Sequence, residues 1–182
     1  MDTELVVQAQ HGDRAAFASV AAALADRFLA TSHRILRDID LAEDATQQAL
    51  VNIWRELPQL RDPARFDAWS YRVLVRACYL EARRSRHWTP NMRLLSTNEP
   101  MTSDGFSEIA DRDELERGFR RLPLDQRAVL VLRHYLDLSA AQTAEILGVP
   151  EGTVASRLHY AIRGLRAALE ADARVPAREV AR

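Results

Sequence analysis

The most constraining feature of the chain is one stretch in which helical periodicity fails. From Thr89 to Ser107 the sequence reads TPNMRLLSTNEPMTSDGFS, with two prolines, a glycine and no apolar repeat. At about 19 residues it is longer than an ordinary connection inside a compact domain. We therefore predict a domain at 1–88, a linker at 89–110, a second domain at 111–172 and a flexible tail at 173–182.

Both flanking parts show the spacing of amphipathic helices, as in Phe17, Val20, Leu24 and Phe28. Alternating β-branched runs between turn signals, which would indicate strands, are absent from the sequence. The expected fold class is all-α, with two small helical domains. Asp40, with Glu43 three residues later, predicts the start of one helix. The other predicted helices lie near 66–86, 111–121, 125–136, 139–147 and 151–171.

Composition excludes several classes of function. A single cysteine, Cys78, rules out an internal disulfide framework, and we expect it to be a small buried side chain. The histidines show no metal-ligand spacing, and no glycine-rich phosphate loop or nucleophile–base pair occurs. We expect no metal, no cofactor and no catalysis. The acidic start Met-Asp-Thr-Glu and the lack of a long apolar run predict a cytoplasmic protein.

Charge is distributed in blocks. The formal net charge is only −1, but residues 61–93 carry 8 arginines against 3 acids, and residues 127–182 carry 8 against 6. A nearly neutral average therefore conceals two basic segments, one in each predicted domain.

The segment after Ser139 has the signals of a helix-turn-helix. Ser139 with Gln142 predicts a capped short helix, Gly148 suits its left-handed end, and Pro150 suits the start of the next helix. At 100° per residue, five apolar residues share one side of that second helix, which we expect to be buried: Val154, Leu158, Ala161, Leu165 and Leu169. The opposite side carries Ser156, Tyr160 and Arg163, flanked by Thr153 and His159.

This outward side can bond base edges and phosphates in a major groove. An ordinary amphipathic bundle helix is the alternative, since its outer side must also be polar. The absence of a carboxylate before Glu170, together with the capped helix in front, favours DNA binding.

A stripe of arginines and aromatics occupies one side of the predicted helix at 66–86. Its members fall within about 60° of one another, with Trp69 beside them and Leu74, Ala77 and Cys78 opposite. The stripe consists of Arg65, Arg72, Arg76, Tyr79 and Arg83. Such a surface suits a phosphate backbone and unstacked bases. A solvated arginine face is the alternative, but Glu81 is the only acid between Ala68 and Ser85, so we expect few neutralising partners.

Three segments resemble extracytoplasmic-function sigma factors. The run LPLDQRAVLVLRHYLDLSAAQTAEILGVPEGTVASRLHYAIRGLRAAL (122–169) resembles their −35-binding domain, region 4. DLAEDATQQALVNIW (40–54) resembles region 2.2, and RDPARFDAWSYRVLVRACYLEARRSR (61–86) resembles regions 2.3 and 2.4. The resemblance spans about residues 4–170. Where members of the family usually have a basic residue, this chain has Ala155, Tyr160 and Ile162. Where they commonly have asparagine, it has Arg76.

The resemblance implies a non-catalytic subunit that directs RNA polymerase to promoters. Its expected partners are promoter DNA, the β′ clamp helices and β flap of core RNA polymerase, and, as a further candidate, an anti-sigma factor. The implied −35 contacts are Ser139, Thr153, Ser156, Arg157, His159, Tyr160 and Arg163. The implied −10 contacts are Arg61, Arg65, Phe66, Trp69, Arg72, Arg76, Tyr79 and Arg83, with Phe66 and Trp69 supporting a flipped base. The implied polymerase-docking residues are Asp44, Gln47, Gln48 and Asn52.

A stand-alone helix-turn-helix regulator that binds duplex DNA as a dimer is the main competing interpretation. It accounts for residues 108–172, but it leaves the arginine stripe and the 40–54 segment without a role. Such a regulator would bind its operator alone, whereas a sigma factor needs core polymerase.

Overall fold

The computed structural model describes residues 1–88 and 115–173, with side chains described in 1–85 and 115–170. The predicted linker at 89–110 and residues 174–182 of the predicted tail therefore lie outside the described residues, whereas Ala173 ends the last helix. The first domain contains α1 (Thr3–Gln10), α2 (Arg14–Leu36), α3 (Ile39–Glu56) and α4 (Phe66–Trp88), with 3-10 turns at Leu57–Gln59 and Pro63–Arg65 before α4. The second contains α5 (residues 115–121), α6 (Leu124–Leu130) continued by a π-helical turn (Val131–Tyr135), α7 (Ala140–Leu147) and α8 (Glu151–Ala173). No strand occurs in the described part, and the all-α prediction with two small helical domains is confirmed.

The start of α3 differs from the prediction. Arg37 adopts a left-handed conformation (φ 60°) that ends α2, and Asp38 is extended and caps α3 by accepting a hydrogen bond from the Leu41 amide at 3.0 Å. Asp40 lies in the first turn instead of capping it, so the predicted start there was wrong. The reason is that the left-handed Arg37 turns the chain within one residue, which makes Asp38 the first acid available as a cap.

The first domain is built around the packing of α2, α3 and α4. The apolar side of α3, formed by Ala42, Ala45, Ala49 and Ile53, is fully buried, and Phe28 of α2 and Leu74 of α4 are also completely buried. In the second domain α5 crosses close to α8 at Gly118, where a Cβ atom would lie 2.8 Å from Leu165 Cδ1. Small clusters then pack α6 against α7 and α8, among them Val129, Ala144 and Val154.

The buried core is continuous between the two domains. Five second-domain residues join the apolar cluster of the first domain: Leu124, Ala128, Val131, Leu132 and Ile146. The Arg127 guanidinium donates to the Leu36 carbonyl at 3.2 Å, and the Arg34 guanidinium lies 3.7 Å from the centroid of the Tyr135 ring. The two predicted domains therefore share one apolar core in this conformation. Among the described helices, none has the length and apolar character to cross a membrane.

The shared core predicts that a substitution in the second domain changes the stability of the first. Val131 belongs to the shared cluster, whereas Val129 packs only within the second domain, and both are almost fully buried. Each Val→Ala change should lower the free energy of unfolding of the core that contains the valine by about 1–3 kcal/mol. All three tryptophans lie in residues 1–88, so their fluorescence reports the first domain.

In urea, Val131→Ala should lower the unfolding midpoint seen by tryptophan fluorescence, and Val129→Ala should lower it less. Equal midpoints for Val131→Ala and the wild type would show that the domains do not stabilise each other.

Candidate nucleic-acid interface

The helix-turn-helix predicted after Ser139 is present. Ser139 Oγ accepts from the Gln142 amide at 3.2 Å, and Gln142 Oε1 accepts from the Ser139 amide at 2.8 Å, which completes a capping box on α7. Gly148 ends α7 with a φ of 64°, a conformation that L side chains rarely adopt. Pro150 precedes α8, so the two helices are joined by a tight turn.

Helix α8 presents the predicted polar side to solvent. Val154 and Ala161 are buried on its inner side, while Leu158, Leu165 and Leu169 are half-buried there. Ser156, His159, Tyr160 and Arg163 are exposed on the outer side, and Thr153 is half-buried. The Tyr160 ring, 58 % exposed, stands edge-on to His159 with ring centroids 5.6 Å apart. The helix therefore offers an aromatic and a cationic donor on a surface that nothing in the described chain covers.

Two of the residues assigned to the −35 surface have contacts inside the second domain. Arg157 is half-buried, and its Nε lies 3.2 Å from Asp125 Oδ2 on α6. Ser139 is engaged in the cap of α7. Arg157 thus supports the position of α8, a role that the helical projection of α8 alone could not show because Asp125 lies 32 residues earlier in the chain. Ser139 supports α7 instead.

The arginine stripe lies on α4 as predicted, opposite a deeply buried side. Leu74, Ala77 and Cys78 are completely buried. Burial raises the pKa of the Cys78 thiol to about 11, and this thiol donates to Ser32 Oγ at 3.4 Å. Cys78 is therefore a core residue, as expected. Among the residues assigned to the −10 surface, Arg61 and Arg65, before α4, and Arg76 and Arg83, on α4, are exposed. Trp69, Arg72 and Tyr79 are half-buried.

Phe66 is not available for direct contact with DNA. It is 1 % exposed and lies in the core of the first domain, with its ring centroid 5.9 Å from that of Trp69. Its assignment as a DNA contact is wrong in this conformation, because it begins α4 and points under the stripe. Phe66 does pack against Trp69, so it can still support the Trp69 ring beneath a flipped base, as the resemblance implied.

The stripe also has an acidic partner that the sequence did not reveal. Glu145 of α7 forms an ion pair with Arg65, and its Oε1 atom lies 3.6 Å from Arg72 Nη2. The expectation of few neutralising partners considered only the acids near in sequence, whereas Glu145 comes from the other domain.

The predicted docking residues share one side of α3. Asp44 and Gln47 are exposed, and Gln48 Nε2 donates to Asn52 Oδ1 at 2.9 Å. Exposed apolar side chains extend the same surface: Val51 is 46 % exposed and Trp54 39 % exposed. The sequence analysis did not select these two, although their spacing from Gln47 and Gln48 places them on this side.

Comparisons with known proteins agree with this geometry. Residues 21–89 match the family described as Sigma-70 region 2, and residues 112–164 match Sigma-70, region 4. The ECF RNA polymerase sigma factor SigL of Mycobacterium tuberculosis is 35% identical over 167 residues, which cover 87% of this chain and 94% of SigL. The RNA polymerase sigma-E factor of Streptomyces avermitilis is 33% identical, covering 93% and 95% of the two chains.

The chain belongs to the extracytoplasmic-function sigma factors. Sigma factors of this family are non-catalytic specificity subunits that support promoter-specific initiation by RNA polymerase.

Solved sigma factor structures share the fold. CnrH in complex with the cytosolic domain of CnrY superposes with a TM-score of 0.69 at 22% identity, covering 94% of this chain and 98% of CnrH. RpoE of Bartonella quintana in complex with the anti-sigma factor NepR gives 0.68 at 22% identity, covering 86% and 98%. The all-helical architecture of this sigma factor is therefore that of its structural relatives.

The capping box predicts that Ser139 stabilises α7. Ser139→Ala should lower the free energy of unfolding by about 1 kcal/mol, because the Gln142 amide loses its acceptor. Ser139→Asp keeps an acceptor at the cap and should retain nearly wild-type stability in urea denaturation. An equal loss of stability in both variants would show that the cap does not stabilise α7.

Proposed function

We propose that this sigma factor reads the −35 element with α8 and the −10 element with the stripe on α4, after docking on core RNA polymerase through α3. The observation that carries the proposal is the exposed side of α8, where Tyr160 and Arg163 project from a capped helix-turn-helix. A helix held in this way places its outer side chains at base edges in the major groove. Flanking hydroxyls and the imidazole of His159 can bond phosphates or bases.

The stripe on α4 has different chemistry and suits a melted strand. Exposed Arg76 and Arg83 can bind the phosphate backbone, while the half-buried Trp69 offers a flat face on which an unstacked base can rest. Phe66 beneath Trp69 fixes the orientation of that ring. Melting would then proceed by capture: the cost of unstacking a base, a few kcal/mol, is offset by binding the extruded base.

Core polymerase is the proposed partner of the α3 surface. Asp44 and Gln47 supply charge and hydrogen-bonding groups, and Val51 and Trp54 supply exposed apolar area beside them. A polar rim around exposed aromatic and aliphatic side chains is typical of protein–protein interfaces. The same surface could also bind an anti-sigma factor, a class of partner named for the solved relative RpoE. Because bacterial RNA polymerase works in the cytoplasm, we place this chain there.

Substitutions in the two proposed DNA surfaces should impair different stages of initiation. A promoter is first identified by transcribing a genomic library with core polymerase and the purified protein. Arg163→Ala should then weaken holoenzyme binding to the closed duplex about tenfold, with a smaller effect on a pre-melted promoter. Trp69→Ala should impair opening by a comparable factor, since one base-stacking contact is worth about 1–3 kcal/mol.

Each variant is the other's control. If both lowered the affinity of the closed complex equally, the division between α8 and α4 would be wrong. Promoter-specific binding by the wild-type protein without core polymerase would instead favour a stand-alone regulator.

Docking on polymerase is tested by reversing one exposed charge on α3. Asp44→Arg should abolish association with core polymerase in a pull-down, while its thermal stability stays within about 0.5 kcal/mol of wild type, as for most surface changes. Glu4→Arg, an equal charge reversal on α1, is the matched control and should bind normally. Wild-type affinity in the Asp44→Arg variant would refute the docking surface.

A further inference from the structure

A cavity of about 730 Å³ lies between the end of α2 and the second domain. Three residues at the end of α2 form one wall, His33, Arg34 and Arg37, and the other walls come from α5, α6 with its π-helical turn, and α8. The described lining includes none of the residues assigned to DNA or to polymerase. Small-molecule sites in proteins have volumes of about 300–1,000 Å³, so this cavity has the size of a ligand site.

The wall of the cavity carries an excess of positive charge. Arg34 and Arg37 contribute guanidinium groups, and Glu116 is the only acid among the described lining residues. Glu116 forms an ion pair with Arg37, whereas the Arg34 guanidinium lies over the Tyr135 ring. One carboxylate therefore faces two permanent positive charges.

The same excess affects the ionisation of two lining residues. Burial, and then neighbouring arginines, Arg120 first among them, lower the pKa of Arg37 to about 10. Burial, and then Arg37 and two other arginines, lower the pKa of His33, against a smaller opposite effect of Asp38. Cations that are held close together with too few acids repel one another, and a bound anion offsets that repulsion.

Arg37 also has an unused hydrogen-bond donor. Its side chain is only 11 % exposed, and its ion pair with Glu116 engages the Nη2 atom. The Nε atom of Arg37 is buried and has no hydrogen-bond partner in the described part of the chain. Since buried polar groups are normally hydrogen-bonded, the guanidinium group is only partly satisfied by Glu116.

Apolar side chains form the rest of the lining. Leu115, Tyr135 and Ile162 are 44 %, 46 % and 42 % exposed, which is high for large apolar side chains, and all three line this cavity. Phe119 and Leu165 also line it and are half-buried. Large apolar groups that are exposed together at one place mark binding surfaces.

We propose that this cavity binds a small amphiphilic anion, with its carboxylate or phosphate group at Arg34 and Arg37 and its apolar body against Leu115, Tyr135 and Ile162. A guanidinium group forms charge-assisted hydrogen bonds with either head group. An aromatic ring or a short alkyl chain fits the apolar lining, and a ligand in this position contacts both domains at once. The site does not depend on which side chains bind the promoter, so it stands apart from the proposed function.

The first test compares three probes on the full-length protein. Anilinonaphthalene sulfonate (ANS) combines an anionic group with an aromatic body, N-phenylnaphthylamine has the same body without the charge, and inorganic phosphate has the charge alone. In fluorescence titrations ANS should bind with one-to-one stoichiometry and roughly fivefold or more tightly than the other two, because the site uses both charge and apolar contact. Equal affinity for ANS and N-phenylnaphthylamine would refute the anion site.

Competition identifies the head group. Decanoate carries a carboxylate and naphthyl phosphate carries a phosphate, and both should displace ANS from the cavity. The better competitor shows which head group the two arginines prefer. If neither compound displaces ANS, the proposal is wrong.

Substitutions test the two parts of the lining separately. Arg34→Gln should weaken ANS binding roughly five- to tenfold, and Arg34→Lys, which keeps the charge, should weaken it less. Ile162→Asp should weaken it by a similar factor, because the new carboxylate repels the anion and an apolar contact is lost. The matched controls are Arg14→Gln and Leu80→Asp, at exposed positions on α2 and α4 outside this cavity, and both should bind ANS normally.

Nuclear magnetic resonance locates the bound probe. In the isotope-labelled protein, ANS should shift the amide signals of residues 33–37 on one side of the cavity and of residues 115–119, 131–135 and 162–165 on the other. Circular dichroism in urea checks that each variant is folded. Amide shifts confined to the exposed apolar surface around Trp54, or equal losses of ANS affinity in the control variants, would overturn the proposal.

Discussion

The burial of one side of α4 is the constraint on which the other features depend. Leu74, Ala77 and Cys78 are fully enclosed by the first domain, so the helix cannot rotate without exposing them. That fixed orientation holds the arginines and Trp69 on the opposite side, with Phe66 beneath Trp69. The apolar packing on one side of α4 thus determines where the polar side chains on its other side lie.

The same helix connects the two domains. Its outer side receives α7, and the apolar cluster beneath it continues into α6 and the π-helical turn. A shared apolar core, which is non-directional, and several polar contacts hold the domains together. The polar contacts include the hydrogen bond from Arg127 to the Leu36 carbonyl, the ion pair of Arg37 with Glu116, and the Glu145 ion pairs, which salt weakens. The apolar core favours association of the domains, and the Glu145 ion pairs engage Arg65 and Arg72, two of the residues proposed to bind DNA, when the domains associate.

Much of the fold could be predicted from the sequence, because the signals involved are local. Helical periodicity located the inner sides of α2, α4 and α8, and the Ser139–Gln142 pair located the helix-turn-helix. The cap of α3 was misplaced by two residues because the left-handed conformation of Arg37, a non-glycine residue, has no sequence signal. Phe66 was assigned to the −10 surface because of the family resemblance, whereas its burial depends on tertiary packing.

The contacts between the domains could not be predicted from the sequence either, because they also depend on tertiary packing. Glu145 lies 80 residues from Arg65, and no periodicity or capping rule connects residues so far apart. The pairing of Arg157 with Asp125 was missed in the same way. Sequence reasoning thus proposed which groups bind nucleic acid, and the structure added which of those groups have contacts elsewhere in the chain.

Site-specific photocrosslinking in the assembled holoenzyme tests the central claim most directly. A photoreactive amino acid would replace Tyr160 in one preparation and Tyr79 in another, and each crosslink to promoter DNA would be mapped to the nucleotide. The account predicts that position 160 reacts with the duplex near −35 in closed and open complexes. Position 79 should react with the non-template strand near −10, and mainly after opening. Crosslinks from both positions to the same promoter element, or equal crosslinking without core polymerase, would contradict it.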